Sequence, residues 1–257
     1  TDHANKYTYS SGINAVSERY DMYSLTSDTQ KKWNLRNGKD SLLAGVTFSR
    51  ENYHGLPSST ATSYNSDHRD NLSLYSSYSY AVTPDFKTII GLRGQHSSDY
   101  AKDENVFLPQ IQTLYKLNDH TSWFINIGKA FQMPALNQYF NKAGTDFNRL
   151  KPQEGWTYET GVKWIEKTSS VKVSVYHMDI QDAFKWKKNP DNTDYLANAG
   201  NFRNTGVEAE YTKHINDAWS LDLGVSYSNP KDNENGQWER DNARTQYTAG
   251  VTYDKEK

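Results

Sequence analysis

His177 and Asp179 stand two residues apart and have the side chains of a proton-relaying couple: an imidazole that can accept or donate a proton and a carboxylate able to orient it. No nucleophile is marked to complete them. Serine is abundant, yet none sits in a G-x-S-x-G elbow, and the chain has no cysteine. On one face of a strand the pair serves equally well as polar wall. The seven histidines, His3, His54, His68, His96, His120, His177 and His214, include no two at the spacing of zinc ligands. His54 and His68 fall in one long connection, where solvent or a ligand would meet them. The acidic stretches Asp232-Asn233-Glu234-Asn235-Gly236 and Asp191-Asn192-Thr193-Asp194 carry oxygen ligands suited to calcium but lack EF-hand spacing, so they read as polar turns. No glycine-rich phosphate loop is present. The expectation is no catalytic residue, no metal site and no cofactor, and hence no enzyme.

What remains is recognition. Tyr139, Phe140, Phe147 and Arg149 share one long connection, and Phe184, Lys185, Trp186, Lys187 and Lys188 share another. Aromatic faces beside positive charge suit an anionic, aromatic ligand held by stacking, cation–π contact and charge. Tyr139, Phe140, Phe147, Arg149, Lys185, Trp186 and Lys187 are therefore the candidate ligand-binding residues. The same groups also suit packing among loops or contact with lipid phosphates.

These loops hang on a period-two chain. Leu42, Ala44, Val46 and Phe48 share one face while Leu43, Gly45 and Thr47 share the other; Leu72, Leu74, Tyr78, Tyr80 and Val82 oppose Ser73, Tyr75, Ser77 and Ser79. The pattern recurs in Phe86 to Leu92, Phe107 to Leu117, Trp123 to Phe131, Tyr158 to Trp164, Val171 to Val175, Val207 to Tyr211, Trp219 to Tyr227 and Thr245 to Tyr253. With weaker candidates at Lys6 to Ile13, Glu18 to Leu25 and Lys32 to Arg36, this predicts about a dozen strands and no amphipathic helix. The class is all-β. Short polar turns at Asn37 to Asp40, Thr83 to Asp85, Asn118 to Thr121, Glu166 to Ser169 and Asn216 to Ala218 alternate with long connections: Asn52 to Asp70, Ser97 to Asn105, Gln132 to Gly155, Asp182 to Phe202 and Asn229 to Asn242. One end of the sheet has tight turns and the other long loops, the arrangement of an up-and-down antiparallel barrel of the transmembrane type.

Composition narrows the partners. Hydrophobic residues are only 35% of the 257, yet aromatics reach 14%, which argues against disorder. A net charge of −2 supplies no field to draw nucleic acid. No run approaches the roughly 18 apolar residues of a transmembrane helix, whereas barrel strands need only about 9 to 11 alternating residues. Period two alone leaves a soluble sandwich open, since an apolar face suits a core as well as lipid. The non-apolar faces, holding Glu159 with Lys163, Lys172 with Ser174 and Asp222 with Ser226, suit a wet lumen as well as bulk solvent, and aromatics near strand ends suit a membrane girdle.

Four segments then carry a resemblance. Leu114-Tyr115-Lys116-Leu117-Asn118-Asp119-His120-Thr121-Ser122-Trp123 is a strand, turn and strand. Gly128-Lys129-Ala130-Phe131-Gln132-Met133-Pro134-Ala135-Leu136 is a strand entering a loop. Leu150-Lys151-Pro152-Gln153-Glu154-Gly155-Trp156-Thr157-Tyr158-Glu159-Thr160-Gly161-Val162-Lys163 leads from loop to strand, and Asn198-Ala199-Gly200 precedes Asn204-Thr205-Gly206-Val207-Glu208-Ala209-Glu210. In this order they resemble the barrel of TonB-dependent siderophore receptors, with Leu43-Ala44-Gly45-Val46 and Gly91-Leu92-Arg93 fitting the same scheme. The resemblance implies a bacterial outer-membrane location, contact with outer-membrane lipid, and transport of a ferric siderophore or similar small nutrient. Nothing in the chain resembles the family's plug domain, and the strand count is near half of the roughly 22 such receptors have. The expectation is one domain over residues 1–257, a barrel or part of one, with TonB a partner only where a plug exists elsewhere. A shortened, non-transporting relative acting as a soluble or surface binding module is the other reading.

Overall fold

The computed structural model describes residues 3–11, 14–55, 65–99, 103–139, 150–188, 190, 192, 194–234, 236–240 and 244–254. Its strands are β1 (His3–Ser11), β2 (Asn14–Leu35), β3 (Asp40–Gly55), β4 (Asn65–Ala81), β5 (Phe86–Asp99), β6 (Asp103–Lys116), β7 (Thr121–Gln132), β8 (Gln153–Ile165), β9 (Ser169–Lys188), β10 (Asp194–His214), β11 (Trp219–Ser228), β12 (Lys231–Glu234), β13 (Gln237–Arg240) and β14 (Thr245–Tyr253). A single helical turn, α1 (Leu136–Tyr139), follows β7. The order across the sheet is β1 through β11 and then β14, every pair antiparallel, with β12 and β13 forming a hairpin hung from β10. This is the up-and-down pattern expected from the alternation, with twelve strands on the main path.

Tight turns are made by local chemistry. Asn118 accepts the backbone N–H of His120 and of Thr121, each at 2.9 Å, and Asn216 does the same for Ala218 and Trp219. A side-chain oxygen thus stands in for a backbone carbonyl where the chain reverses. Between β2 and β3, Arg36, Asn37 and Gly38 all take positive φ (47°, 55° and 84°), a left-handed run that brings Asp40 back beside Leu35.

Register fixes the two faces. Leu42, Ala44, Val46 and Phe48 lie opposite Tyr78, Ser76, Leu74 and Leu72, which lie opposite Ile90, Leu92, Gly94 and His96. On this outer face the large apolar groups stand in the open: Leu74 is 65% exposed, Val175 51% and Tyr247 78%. From Leu72 to Val82 the chain climbs about 33 Å at ~3.3 Å per residue. At the ~40° tilt of barrel strands that is ~25 Å, the height of a lipid-facing band. Arg50 and Asp70 end the band at the loop side, joined by a 2.5 Å ion pair. At the turn side Asp40 accepts from Arg36 and from the Tyr78 hydroxyl (3.0 Å), while Arg36 lies 4.5 Å over the Tyr80 ring. The Arg36 guanidinium holds the Asp40 carboxyl, at the turn-side rim of the band, well below the usual carboxylate range.

The inner face is polar, and this discriminates against a sandwich. Arg69, Asn71, Ser73, Ser97 and Ser174 are buried there, whereas the buried apolar side chains among the described residues are few: Val106, Ala183 and a cluster of Tyr53, Leu136, Leu150 and Leu196 at the loop end. A two-layer sandwich buries apolar inner faces; this sheet turns its apolar face outward. Aromatics on the inner face pass close to glycines. A Cβ on Gly45 would meet the Tyr75 ring at 2.5 Å, so the hydroxyl of Tyr75 reaches Asp28 (3.0 Å) only because position 45 has no side chain.

Two strand edges are uncovered among the described residues. β1 pairs only with Asn14–Met22 of β2, leaving Tyr23–Leu35 without a neighbour on that side, and β14 has no neighbour beyond β11. The strands also outrun expectation at the loop end. The segment expected as a connection from Asn52 to Asp70 is strand up to Gly55 and again from Asn65, and that from Asp182 to Phe202 is paired up to Lys188 and from Asp194.

Candidate ligand-binding mouth and inner wall

Arg69 is the hub of the inner wall. Only 2% exposed, its guanidinium meets Glu51 at 3.3 Å and Asp99 at 3.2 Å and donates to the Pro134 carbonyl at 2.7 Å. Adjacent register positions extend the network: Asn71 donates to Ser49 and Glu51, Gln95 donates to Asn71 and Ser97, and Ser73 donates to Gln95. Deeper, Arg93 donates to Ser73 at 2.8 Å. On the opposite arc, Glu159 accepts from Asn126 and pairs with Lys172, both at 3.1 Å. Polar groups this well satisfied suit a wall facing a polar filling.

The Pro134 contact folds the chain leaving β7 inward over the wall. Gln138 caps α1 by accepting the Ala135 N–H at 2.7 Å. Leu136 then enters the cluster with Tyr53, Leu150 and Leu196, with Met22 and Phe184 packed against it. The Asn198-Ala199-Gly200 segment holds the returning chain, because Asn198 accepts the Lys151 N–H (2.7 Å) and donates to the carbonyls of Lys151 and Asp182. A bulge at Asp182, with φ of 53°, shifts the register of β9 against β10 there.

The candidate ligand residues divide accordingly. Phe140, Phe147 and Arg149 lie outside the described residues, and Tyr139 is the last residue of α1. Lys185, Trp186 and Lys187 are consecutive on β9 and so alternate in direction. Trp186, 68% exposed, lies across from Leu196 and on the same side as Phe184, the side of the mouth cluster. Lys185 and Lys187 belong to the other side, where Lys185 pairs with Asp232 at 2.5 Å. The acidic stretch from Asp232 thus supplies a counter-ion, and Asn233 accepts the Gly236 N–H in a polar turn.

His177 and Asp179 also turn outward, in line with Val173 and Val175, rather than into the lumen. His177 bonds the Thr205 hydroxyl at 2.7 Å and lies beside the Tyr158 ring, while Asp179 accepts from Arg203 at 2.9 Å. Each has its own partner. His54 contacts Ser66 at 2.6 Å. Among the described residues no group of three His, Asp or Glu side chains converges as a metal site. The Arg69 hub escaped sequence reading because Arg69 falls inside an expected loop; its signal is the register that sets it against Glu51 and Asp99.

A family model described as TonB dependent receptor-like, beta-barrel matches residues 1–257. The chain belongs to that family. Among relatives of this receptor barrel, the vitamin B12 transporter BtuB of Photobacterium profundum is 24% identical over 135 residues, 52% of this chain and 21% of that protein. Solved structures share the fold. The copper transporter OprC superposes with a TM-score of 0.73 at 16% identity, over 94% of this chain and 43% of that one. The ferric yersiniabactin uptake receptor FyuA of Yersinia pestis gives 0.73 at 16%, over 97% and 42%. The chain therefore spans less than half the length of these relatives. Within the receptor barrel, Asn198-Ala199-Gly200 lies where the β9–β10 register shifts and clamps the chain entering β8, a physical reason for that motif.

Proposed function

We propose that this chain forms part of the wall and mouth of an outer-membrane receptor that captures a ferric siderophore or similar scarce nutrient and passes it inward. It acts by binding rather than by catalysis. The observation that carries the reading is the two-faced wall: a lipid-height apolar band outside, a hydrogen-bonded polar network inside, and an apolar cluster of Tyr53, Leu136, Leu150 and Leu196 at one end. Membership of the receptor-barrel family and the transport roles of the named relatives support it. In this reading residues 1–257 are one domain. Tyr139, Phe140, Phe147, Arg149, Lys185, Trp186 and Lys187 are the candidate cargo contacts, TonB is a partner only where a plug exists elsewhere, and nucleic acid is not a partner.

The test is a fluorescence titration of the chain in lipid nanodiscs with ferric trihydroxamate, ferric tricatecholate, ferric citrate and cobalamin. Saturable quenching by one class, weakened at least fivefold by Trp186→Ala, supports capture at the mouth. Equal quenching of wild type and variant by every class overturns it.

A further inference from the structure

Just below the mouth cluster, the inner face of β7, β8 and β9 holds a groove of about 190 Å³. Met178 and Ile180 line it from β9, Gly155 and Thr157 from β8, and Ala130 and Gln132 from β7. Gly155 is backed by Ile180, whose side chain occupies the space a Cβ would need, at 2.9 Å, so the wall stays shallow there. At its upper rim Gln153 is committed on both sides of its amide, donating to Gln132 at 2.6 Å and accepting the Phe184 N–H at 3.1 Å. Among the described residues no cation lines the groove, and the carboxylate on its margin, Glu154, is taken by Lys129. The first charges on this arc come lower, at Glu159 and Lys172, and they pair with each other.

We propose that this groove is a subsite for an uncharged aromatic or acyl arm of the ligand. The proposal rests on the receptor reading above and adds a preference to it. An anionic arm would lose its hydration and meet no opposite charge, which disfavours it. An apolar arm buries its surface against methyl groups and the polarizable thioether of Met178, which contacts aromatic rings favourably. The volume fits one such arm, since an apolar cavity of ~150 Å³ accepts benzene. The rest of the cargo then lies upward, toward Phe184 and Trp186.

The chain has three methionines, Met22, Met133 and Met178, so a spectrum of ¹³C-methyl-methionine protein resolves the groove directly. The probes are tris(benzohydroxamato)gallium(III) and tris(acetohydroxamato)gallium(III), both neutral and diamagnetic and differing in the phenyl ring. In nanodiscs the benzo complex is expected to shift the Met178 methyl saturably upfield and to bind at least tenfold more tightly than the aceto complex. Ile180→Asp is expected to remove that difference with the far-UV circular dichroism unchanged; Ile180→Leu preserves it and controls for folding. If both complexes perturb Trp186 fluorescence with equal affinity while Met178 stays silent, the subsite is wrong and the receptor reading stands. If neither complex perturbs Met178 or Trp186, both fail for this class of cargo.

Discussion

Arg69 and Pro134 stand 65 residues apart in sequence, yet the guanidinium of one donates to the carbonyl of the other at 2.7 Å inside the wall. That bond ties the chain leaving β7 to β4, and Arg69 is simultaneously the counter-ion of Glu51 and of Asp99. One side chain therefore joins the sheet's polar interior to the loop that covers it.

Replacing Arg69 by Met keeps the bulk but removes the charge. Breaking a buried pair from one side costs about 3–5 kcal/mol. Arg69→Met is expected to lower the guanidinium unfolding midpoint of the micelle-embedded chain and to speed proteolytic cleavage between Met133 and Leu136. Unchanged cleavage would show that the loop is held by its apolar cluster alone.

The division of faces predicts opposite tolerance on β4. Leu74 points out of the apolar band and Ser77 into the wall. Leu74→Arg should cost about 2–4 kcal/mol, the depth-dependent penalty for a cation among lipid tails, and Ser77→Arg much less. Equilibrium unfolding from bilayers measures both, and equal costs would contradict the orientation.

At the turn end, Asp40 accepts from Arg36, Tyr78 and the Ala81 N–H. Its folded-state pKa lies below the unfolded value, so its contribution to stability is present above about pH 4 and is lost only as pH falls further, through the folded pKa. Asp40→Asn should therefore be less stable than wild type at pH 7, with the gap closing only below pH 4. A gap that closes between pH 7 and 5 would rule out this carboxylate as its source.

Much of this architecture was legible in the sequence because period two survives wherever a sheet has one apolar face and one polar face. The alternation from Leu42 to Phe48 and from Leu72 to Val82 maps directly onto the outer face. Strand ends were not legible. Polar residues such as His54, Ser66 and Asp67 read as loop, yet antiparallel pairing continues through them because backbone hydrogen bonds ignore side-chain polarity. The seven candidate residues were chosen by type, and type cannot tell direction. The bulge at Asp182 and strict alternation after it separate Trp186 from Lys185 and Lys187, and Lys185 had an acidic partner on a hairpin far along the chain. The Arg69 hub was hidden for the same reason: it exists only once β3, β4 and β5 are in register.

The most direct test of a lipid-facing receptor wall uses the absence of native cysteine. Single cysteines placed from Leu72 to Tyr80, spin-labelled in bilayers, report collision with oxygen in lipid or with a water-soluble nickel chelate. Labels at Leu72, Leu74, Tyr78 and Tyr80 should favour oxygen, and those at Ser73, Tyr75, Ser77 and Ser79 should not, giving a period of two. Nickel accessibility at every position, with no alternation, would contradict the account.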